Sequence, residues 1–323
     1  MKIEVASKSI PLTQPFAIAR GTKTHCDLVR VTIRSGSHIA RGECTPSARY
    51  GETVTSVIEQ IKQMRPALAH LSPAAAKSHL QTLPAGAARN ALDCAIWEMI
   101  ALKNGTRFPA PYFDIQPKIA TAMTVSIDTP TKMAKQASQY LKSGATLLKI
   151  KLDSHLIVER VKAVRQVAPD CEIILDANEA WQHLDLPALF LSLSDLNVAM
   201  IEQPVPSGYD SLLRGIARPV PICADESCHT HEDLHRLEGA YDIINIKLDK
   251  SGGLTEALIL EKMAREKGFK IMVGCMLGTS MAMKAALPIA TRADIVDLDG
   301  PVLLGTDVDD GLIYESGHLT LGE

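Results

Sequence analysis

Five ionisable residues, Lys151, Asp176, Glu202, Asp225 and Lys247, follow one another at intervals of 25, 26, 23 and 22 residues. Each stands at or near the end of a short apolar run, in LLKIKLD, EIILDAN, VAMIEQP, PICADES and IINIKLDK. Three carboxylates gathered side by side repel one another unless a cation lies among them. An all-oxygen donor set, with no cysteine or histidine at a matching position, suits octahedral Mg2+, with Mn2+ as the alternative ion. A metal that holds a substrate carboxylate spreads the negative charge left when the neighbouring α-proton departs. Lys151 and Lys247 flank the acids and could serve as two bases, one for each face of that carbon. Lys149 lies two residues before Lys151 on the same face of its run, and a second positive charge so close should lower the Lys151 pKa toward the range in which a lysine acts as a base.

The elements that must position these groups also repeat. From residue 120 onward eight β-rich runs occur: ATAMTVSI, LLKIKL, EIILDAN, VAMIEQP, PICADES, IINIKL, KIMVGCM and IVDLDGP. Seven show little alternation, as expected of strands covered on both faces. Helix-sized segments fill the gaps. TPTKMAKQASQYLKSG offers Thr129 as N-cap, Pro130 at the first helical position, an apolar stripe of Met133, Ala137, Tyr140 and Leu141, and Gly144 as a stop. Ile157, Val161 and Val164 recur at helical spacing, as do Leu186, Leu189, Phe190 and Leu193. Eight βα units of this period predict an α/β fold, a TIM-type (β/α) barrel over residues 116–305. Lys151 then ends the second strand and Lys247 the sixth, so the two ammonium groups face each other across the mouth. Residues 1–115, strand-like and then helical, predict an N-terminal α+β capping domain. The strand-like GLIYESGHLTL, within 306–323, is expected to return to that domain.

Composition excludes several classes. With 34 basic and 37 acidic residues among 323, and no block of like charge, neither nucleic acid nor a membrane surface is an expected partner. No apolar run reaches the ~18 residues of a membrane span, and MKIEVASKSIPL lacks a signal peptide's apolar core, which points to a cytoplasmic protein. Seven scattered cysteines without a CxxC pair read as buried free thiols. Homo-oligomerisation is left open.

Taken together, KxK (Lys149, Lys151), ILDAN, IEQP, ADES and NIKLDKSGG resemble the KxK branch of the enolase superfamily over essentially the whole chain. The DxD of IVDLDGP, Asp297 and Asp299, is similar to the motif that meets a dipeptide's free ammonium in the dipeptide epimerases of the L-Ala-D/L-Glu type. The resemblance implies Mg2+-dependent epimerisation of the C-terminal residue of a small dipeptide, a small-molecule substrate of the kind released in cell-wall peptide recycling. It also implies that PFAIARGTK and GECTPSARYGE are loops closing over the barrel, with Arg20, Lys23 or Arg49 available to an acidic side chain. Gly252 and Gly253 could offer amides at a helix N-terminus to a carboxylate, or make a tight turn. Asn178, Glu226 and Asp249 resemble residues that orient the ligands or the lysine, and Glu226 could serve the metal directly. AARNALDCAIWEM resembles the first-domain helix, its Ala and Leu spacing being core packing. An o-succinylbenzoate synthase, an N-succinylamino acid racemase and a muconate-type cycloisomerase share the same catalytic residues. A Schiff-base aldolase and a non-catalytic barrel are alternatives from other classes.

Overall fold

The computed structural model describes residues 1–322. The first domain opens with β1 (Lys2–Ile18), β2 (Gly21–Ser35) and β3 (His38–Cys44), an antiparallel sheet in that order. Helices α1 (Val54–Ala69), α2 (Pro73–Leu80) and α3 (Ala87–Lys103) cover one face. Val29, Val31 and Ile33 alternate inward from β2 against Ala88, Ala91, Leu92, Ala95 and Ile96 of α3, which is the helix packing expected of that segment.

The opposite side of α3 is polar yet buried, because it docks on the barrel. Arg89 donates to the Ser251 and Gly252 carbonyls at 2.6 and 3.1 Å, and Trp97 Nε1 to Thr255 Oγ1 at 2.8 Å. Asp93 accepts the Thr255 amide at 2.9 Å. Glu43, at the end of β3, accepts the Thr279 amide at 2.7 Å.

The barrel strands are β5 (Met123–Val125), β6 (Leu147–Lys151), β7 (Glu172–Asp176), β8 (Met200–Glu202), β9 (Ile222–Ala224), β10 (Ile243–Ile246), β11 (Lys270–Gly274) and β12 (Ile295–Asp297). They form one sheet in chain order, parallel throughout. The ring is drawn together between its first and last strands by the Ala122 amide, which donates to the Val296 carbonyl at 2.8 Å. Inside, Leu147, Ile174, Met200, Cys223, Ile243 and Met272 make an apolar floor. Two residues farther along β6, β7 and β8 the same inward face carries Lys149, Asp176 and Glu202. Period-2 geometry therefore sets a charged layer directly on an apolar one.

Helices α4 (Pro130–Lys142), α5 (Ile157–Val167) and α6 (Leu186–Ser194) follow β5, β6 and β7, with Met133, Ala137, Ile157, Val161, Val164, Leu186, Phe190 and Leu193 buried as their spacing predicts. After β9 comes the single turn α7 (Leu234–Leu237), and after β10 the short α8 (Leu248–Ser251) and the longer α9 (Leu254–Glu266). Helix α10 (Ser280–Ala290) follows β11.

Two of the eight expected βα units lack an α-helix. Only a 3₁₀ turn, Asp210–Leu213, follows β8, and only another, Gly300–Leu303, follows β12. Both stretches are rich in Gly and Pro, which end helices. The C-terminal segment also differs from expectation. Leu304 bridges to Leu12 and Gly305 donates to the Pro11 carbonyl, but the hairpin β13 (Leu312–Glu315) and β14 (His318–Leu321) then pairs with β4 (Ile119–Ala120), the strand that leads into the barrel.

All seven cysteines are free thiols, six of them buried. Among the described residues no helix is long and apolar enough to cross a membrane.

Candidate active site

A cavity of about 560 Å³ lies at the C-terminal ends of the barrel strands, roofed by the β1–β2 turn and by the segment after β3. Its walls bring together Lys149, Lys151, Asn178, Asp225, Glu226, Lys247, Asp297 and Asp299 from the barrel and Arg20, Lys23 and Arg49 from the first domain. Asp176 and Glu202 lie beneath them, wholly buried and paired in register across β7 and β8. Lys151 and Lys247 enter from β6 and the end of β10, with β7, β8 and β9 between them.

The charges are tightly interleaved. Lys151 Nζ lies 2.5 Å from Asp176 Oδ2, and Lys247 Nζ 2.6 Å from Asp225 Oδ2. Lys149 Nζ meets Glu202 Oε2, Asp297 Oδ2 and Asp176 Oδ2 at 2.6, 2.7 and 3.2 Å. Burial disfavours the charged form of Lys149, yet Asp297, Glu202 and Asp176 outweigh it and hold its pKa well above the ordinary value. Its charge is thus met by three carboxylates, a different setting from the free neighbour of Lys151 expected above. Burial also opposes the charge on Lys247, and Asp225 and Glu202 again win, raising it. Burial raises Asp176, but Lys151, Lys149 and Lys247 together keep it low, and Lys247 and Lys250 do the same for Asp225. Glu202 is pushed up to about 7 by burial and by Asp176. Asp299 reaches about 7 through burial and the neighbouring Asp297.

Among the described residues, no three His, Cys, Asp or Glu side chains are spaced as they stand to hold a metal ion; the carboxylates are turned toward ammonium groups instead. The donor chemistry nevertheless fits a hard divalent cation. Asp176, Glu202 and Asp225 supply only oxygen, from adjacent strand ends. Asn178 Oδ1, Glu226 Oε2 and Asp297 Oδ1 are buried without a hydrogen-bond partner, and all three residues border the same cavity.

Other candidates take different places. Gly252 and Gly253 do not border the cavity. A Cβ on them would lie 2.3 Å from Arg89 Nε and 2.5 Å from Asp93 Cβ, so the glycines let α3 approach, and the carboxylate at the start of α9 is the chain's own Asp93. Asp249 faces the domain interface, accepting the Thr45 amide at 3.1 Å and Asn90 Nδ2 at 2.9 Å, rather than meeting Lys247 or the acid cluster. Asn178 acts through its backbone, its amide donating to Asp176 Oδ1 at 2.9 Å. Glu226 pairs with Arg20 at 2.7 Å. Arg49 is held by Glu179. Asp299 lies beyond the end of β12 and accepts the Thr124 amide at 2.7 Å. Lys23 has no carboxylate within 4 Å among the described residues.

Residues 1–107 match the model of the mandelate racemase / muconate lactonizing enzyme N-terminal domain, and residues 132–323 the enolase C-terminal domain-like model. Over 99% of both chains the protein is 46% identical to the L-Ala-D/L-Glu epimerase of Escherichia coli K12. The chain belongs to the dipeptide epimerases of the enolase superfamily. It is accordingly an isomerase, built on that family's barrel and capping domain. An N-acetyl-D-glutamate racemase from Pseudoalteromonas is 42% identical over 91% of this chain and 92% of its own. The crystal structure of a dipeptide epimerase from Enterococcus faecalis V583, complexed with Mg and the dipeptide L-Leu-L-Tyr, superposes with a TM-score of 0.93 at 31% identity, covering 100% and 97% of the two chains.

Several residues around this epimerase site escaped the sequence reading. Asn245, two before Lys247 on the same face, donates to Glu202 Oε1 at 2.8 Å, and period-2 counting could have found it. Gln203, with a φ of 39°, accepts the Asp225 and Ser227 amides at 2.8 and 3.1 Å and so ties one acid's strand to the next. Gly274 on β11 makes room for Asn245 and Lys247, since an added Cβ would lie 2.7 Å from Asn245 Oδ1 and 3.0 Å from Lys247 Cε. Lys250 carries no local signal beyond lying three residues after Lys247.

Proposed function

We propose that the protein inverts the α-carbon of the C-terminal residue of a small dipeptide, L-Ala-D/L-Glu foremost, with Lys151 and Lys247 as opposed bases and Mg2+ held by Asp176, Glu202 and Asp225. Cell-wall peptide turnover is the source of such a dipeptide. The observation that carries this reading is that Lys151 and Lys247, from strands four apart, border one cavity with the acid cluster between them.

A cation bound among those acids would offset the negative charge left on the substrate as its α-proton leaves. The lysine on the side of the departing proton accepts it in neutral form. The lysine opposite, as an ammonium, delivers a proton to the other face, and the two exchange roles in the reverse direction. Lys149, fully buried among three carboxylates, holds Asp297 and Glu202 in place and takes no part in the transfer. Asp297 and Asp299 supply negative charge for the free ammonium of the N-terminal residue. Lys23 serves the glutamate side chain, since Arg49 is held by Glu179 and Arg20 by Glu226 and Glu179.

Incubation of a dipeptide panel in D2O with Mg2+, followed by mass spectrometry, tests the reading. Deuterium should enter the C-terminal α-position of both L-Ala-L-Glu and L-Ala-D-Glu, and no incorporation across the panel would refute it.

A second reading, racemisation of an N-acylated amino acid, draws on one observation. Asp297 is already paired with Lys149, and Asp299 with the Thr124 amide, so part of the negative charge meant for an ammonium is met within the protein. N-Acetyl-glutamate and N-acetyl-Ala-Glu belong in the same panel. If they exchange as fast as the free dipeptide, the second reading replaces the first.

A further inference from the structure

Glu179 lies three residues beyond the end of β7, in a turn where Asn178 and Glu179 have φ values of 43° and 72°. Left-handed backbone at two successive non-glycine residues is costly and persists only where the surroundings fix it. Here the Asn178 amide donates to Asp176 Oδ1 and the Glu179 amide to the Gln203 carbonyl, each at 2.9 Å, and further donors converge on the Glu179 carboxylate. Arg49 makes a two-pronged bond, Nε to Oε2 and Nη2 to Oε1, each at 2.7 Å. Arg20 Nη1 lies 3.2 Å from Oε2 and also donates to the Asn178 carbonyl at 3.1 Å. The Ser207 amide, in the loop after β8, donates to Oε1 at 2.8 Å.

Arg20 sits in the turn between β1 and β2, and Arg49 in the 3₁₀ turn Ala48–Tyr50 after β3. These are the two first-domain segments that roof the cavity. Both thus meet the barrel at one side chain, itself 9% exposed, with Arg20 also paired to Glu226 at 2.7 Å. A fork of two parallel hydrogen bonds fixes direction as well as distance, and the low exposure of the carboxylate limits screening.

Building on the epimerase reading above, we propose that Glu179 is a positioning residue that clamps both roof segments over the bound dipeptide and so sets its affinity. It touches neither the reacting carbon nor either lysine. Its effect passes through Arg49 and Arg20, and it should bear on substrate retention far more than on proton transfer.

The test uses the full chain with Mg2+ and the variants Glu179→Gln, Arg49→Gln and the double substitution. In Glu179→Gln, tryptic cleavage after Arg20 or Lys23 should accelerate by about 10-fold, and KM for L-Ala-L-Glu should rise by about 10-fold with kcat within roughly 3-fold. Arg49→Gln removes the same fork from the solvent side and should behave alike, which keeps the test open if Glu179→Gln folds poorly. The double variant should be no worse than Glu179→Gln, because the Arg49 fork is already lost there. A parental cleavage rate in both single variants overturns the clamp. Faster cleavage with unchanged KM overturns its role in affinity, and multiplicative effects in the double variant overturn the route through Arg49. If the parent protein exchanges no dipeptide at all, the epimerase reading fails, while the cleavage rates still decide whether Glu179 holds the roof.

Discussion

Asp225 is gripped from both sides: Lys247 Nζ lies 2.6 Å from Oδ2, and Lys250 Nζ lies 2.7 Å from Oδ1. Lys247 borders the cavity, whereas Lys250 is buried behind the acid and also donates to the Asp225, Cys228 and Asn245 carbonyls. One lysine reaches the cavity and the other is sealed inside the fold. Lys250→Met removes a buried cation and leaves a carboxylate and three carbonyls short of a donor. The expected cost is about 3 to 5 kcal/mol, read as a lower midpoint in urea unfolding. An unchanged midpoint would show that the buried ammonium is dispensable.

The acid cluster is expected to need its cation. Asp176→Asn, Glu202→Gln and Asp225→Asn should each lower turnover by roughly 100-fold or more while the far-UV circular dichroism stays native. Calorimetric titration of the parent should give one Mg2+ per chain, weakened in each variant. Parental activity in excess EDTA would contradict the assignment outright.

The opposed lysines predict a separation of exchange from inversion. Lys151→Ala or Lys247→Ala should abolish interconversion of L-Ala-L-Glu and L-Ala-D-Glu, while the surviving base still exchanges the α-proton of one diastereomer with D2O. Interconversion at near the parental rate in either variant rules out a two-base mechanism.

The domain interface carries a pH signature. Burial raises the Asp249 carboxyl from 3.8 to about 7, against the bonds from Asn90 and Thr45 that favour its charge. A folded pKa above the unfolded one means that the folded state binds the extra proton, so stability falls as pH rises from about 4 to about 7 and is level beyond. Asp249→Asn keeps an acceptor for both donors and removes the charge. Its stability should match the parent's near pH 4 and exceed it by on the order of 4 kcal/mol at pH 8. A difference that does not change with pH would place the titration elsewhere.

Residues that repeat once per strand were legible because the barrel itself has a period. Asp176, Glu202 and Lys151 share the inward face of neighbouring strands, and spacing alone groups them. Glu179, Lys250 and the true place of Gly252 and Gly253 were not legible. Their roles come from what approaches them: Arg49 and Arg20 from the first domain, the back of Asp225, and Arg89 and Asp93 of α3. Such approach leaves no periodic trace. The missing helices after β8 and β12 did leave one, since Gly208 and Gly215 in the first stretch and Gly300-Pro301 in the second break any helical run. The Ala and Leu spacing of α3 revealed its inner face. Its outer face, polar and buried, contradicts the rule that polar residues face water, and only the docked structure resolves it.

That doubly buried helix limits how the two parts of the protein can be traded. Arg89, Asn90, Asp93 and Trp97 find their partners at Ser251, Gly252, Asp249 and Thr255, all within one short stretch of barrel. A cap grafted from a relative, in the hope of importing its substrate preference through the two roof segments, must bring side chains that suit this stretch. Otherwise it leaves the α9 N-terminus without its carboxylate and the Arg89 carbonyl partners without a donor. Here the cap and the barrel behave as matched halves, and recombination between lineages is constrained at α3 before it is constrained at the substrate.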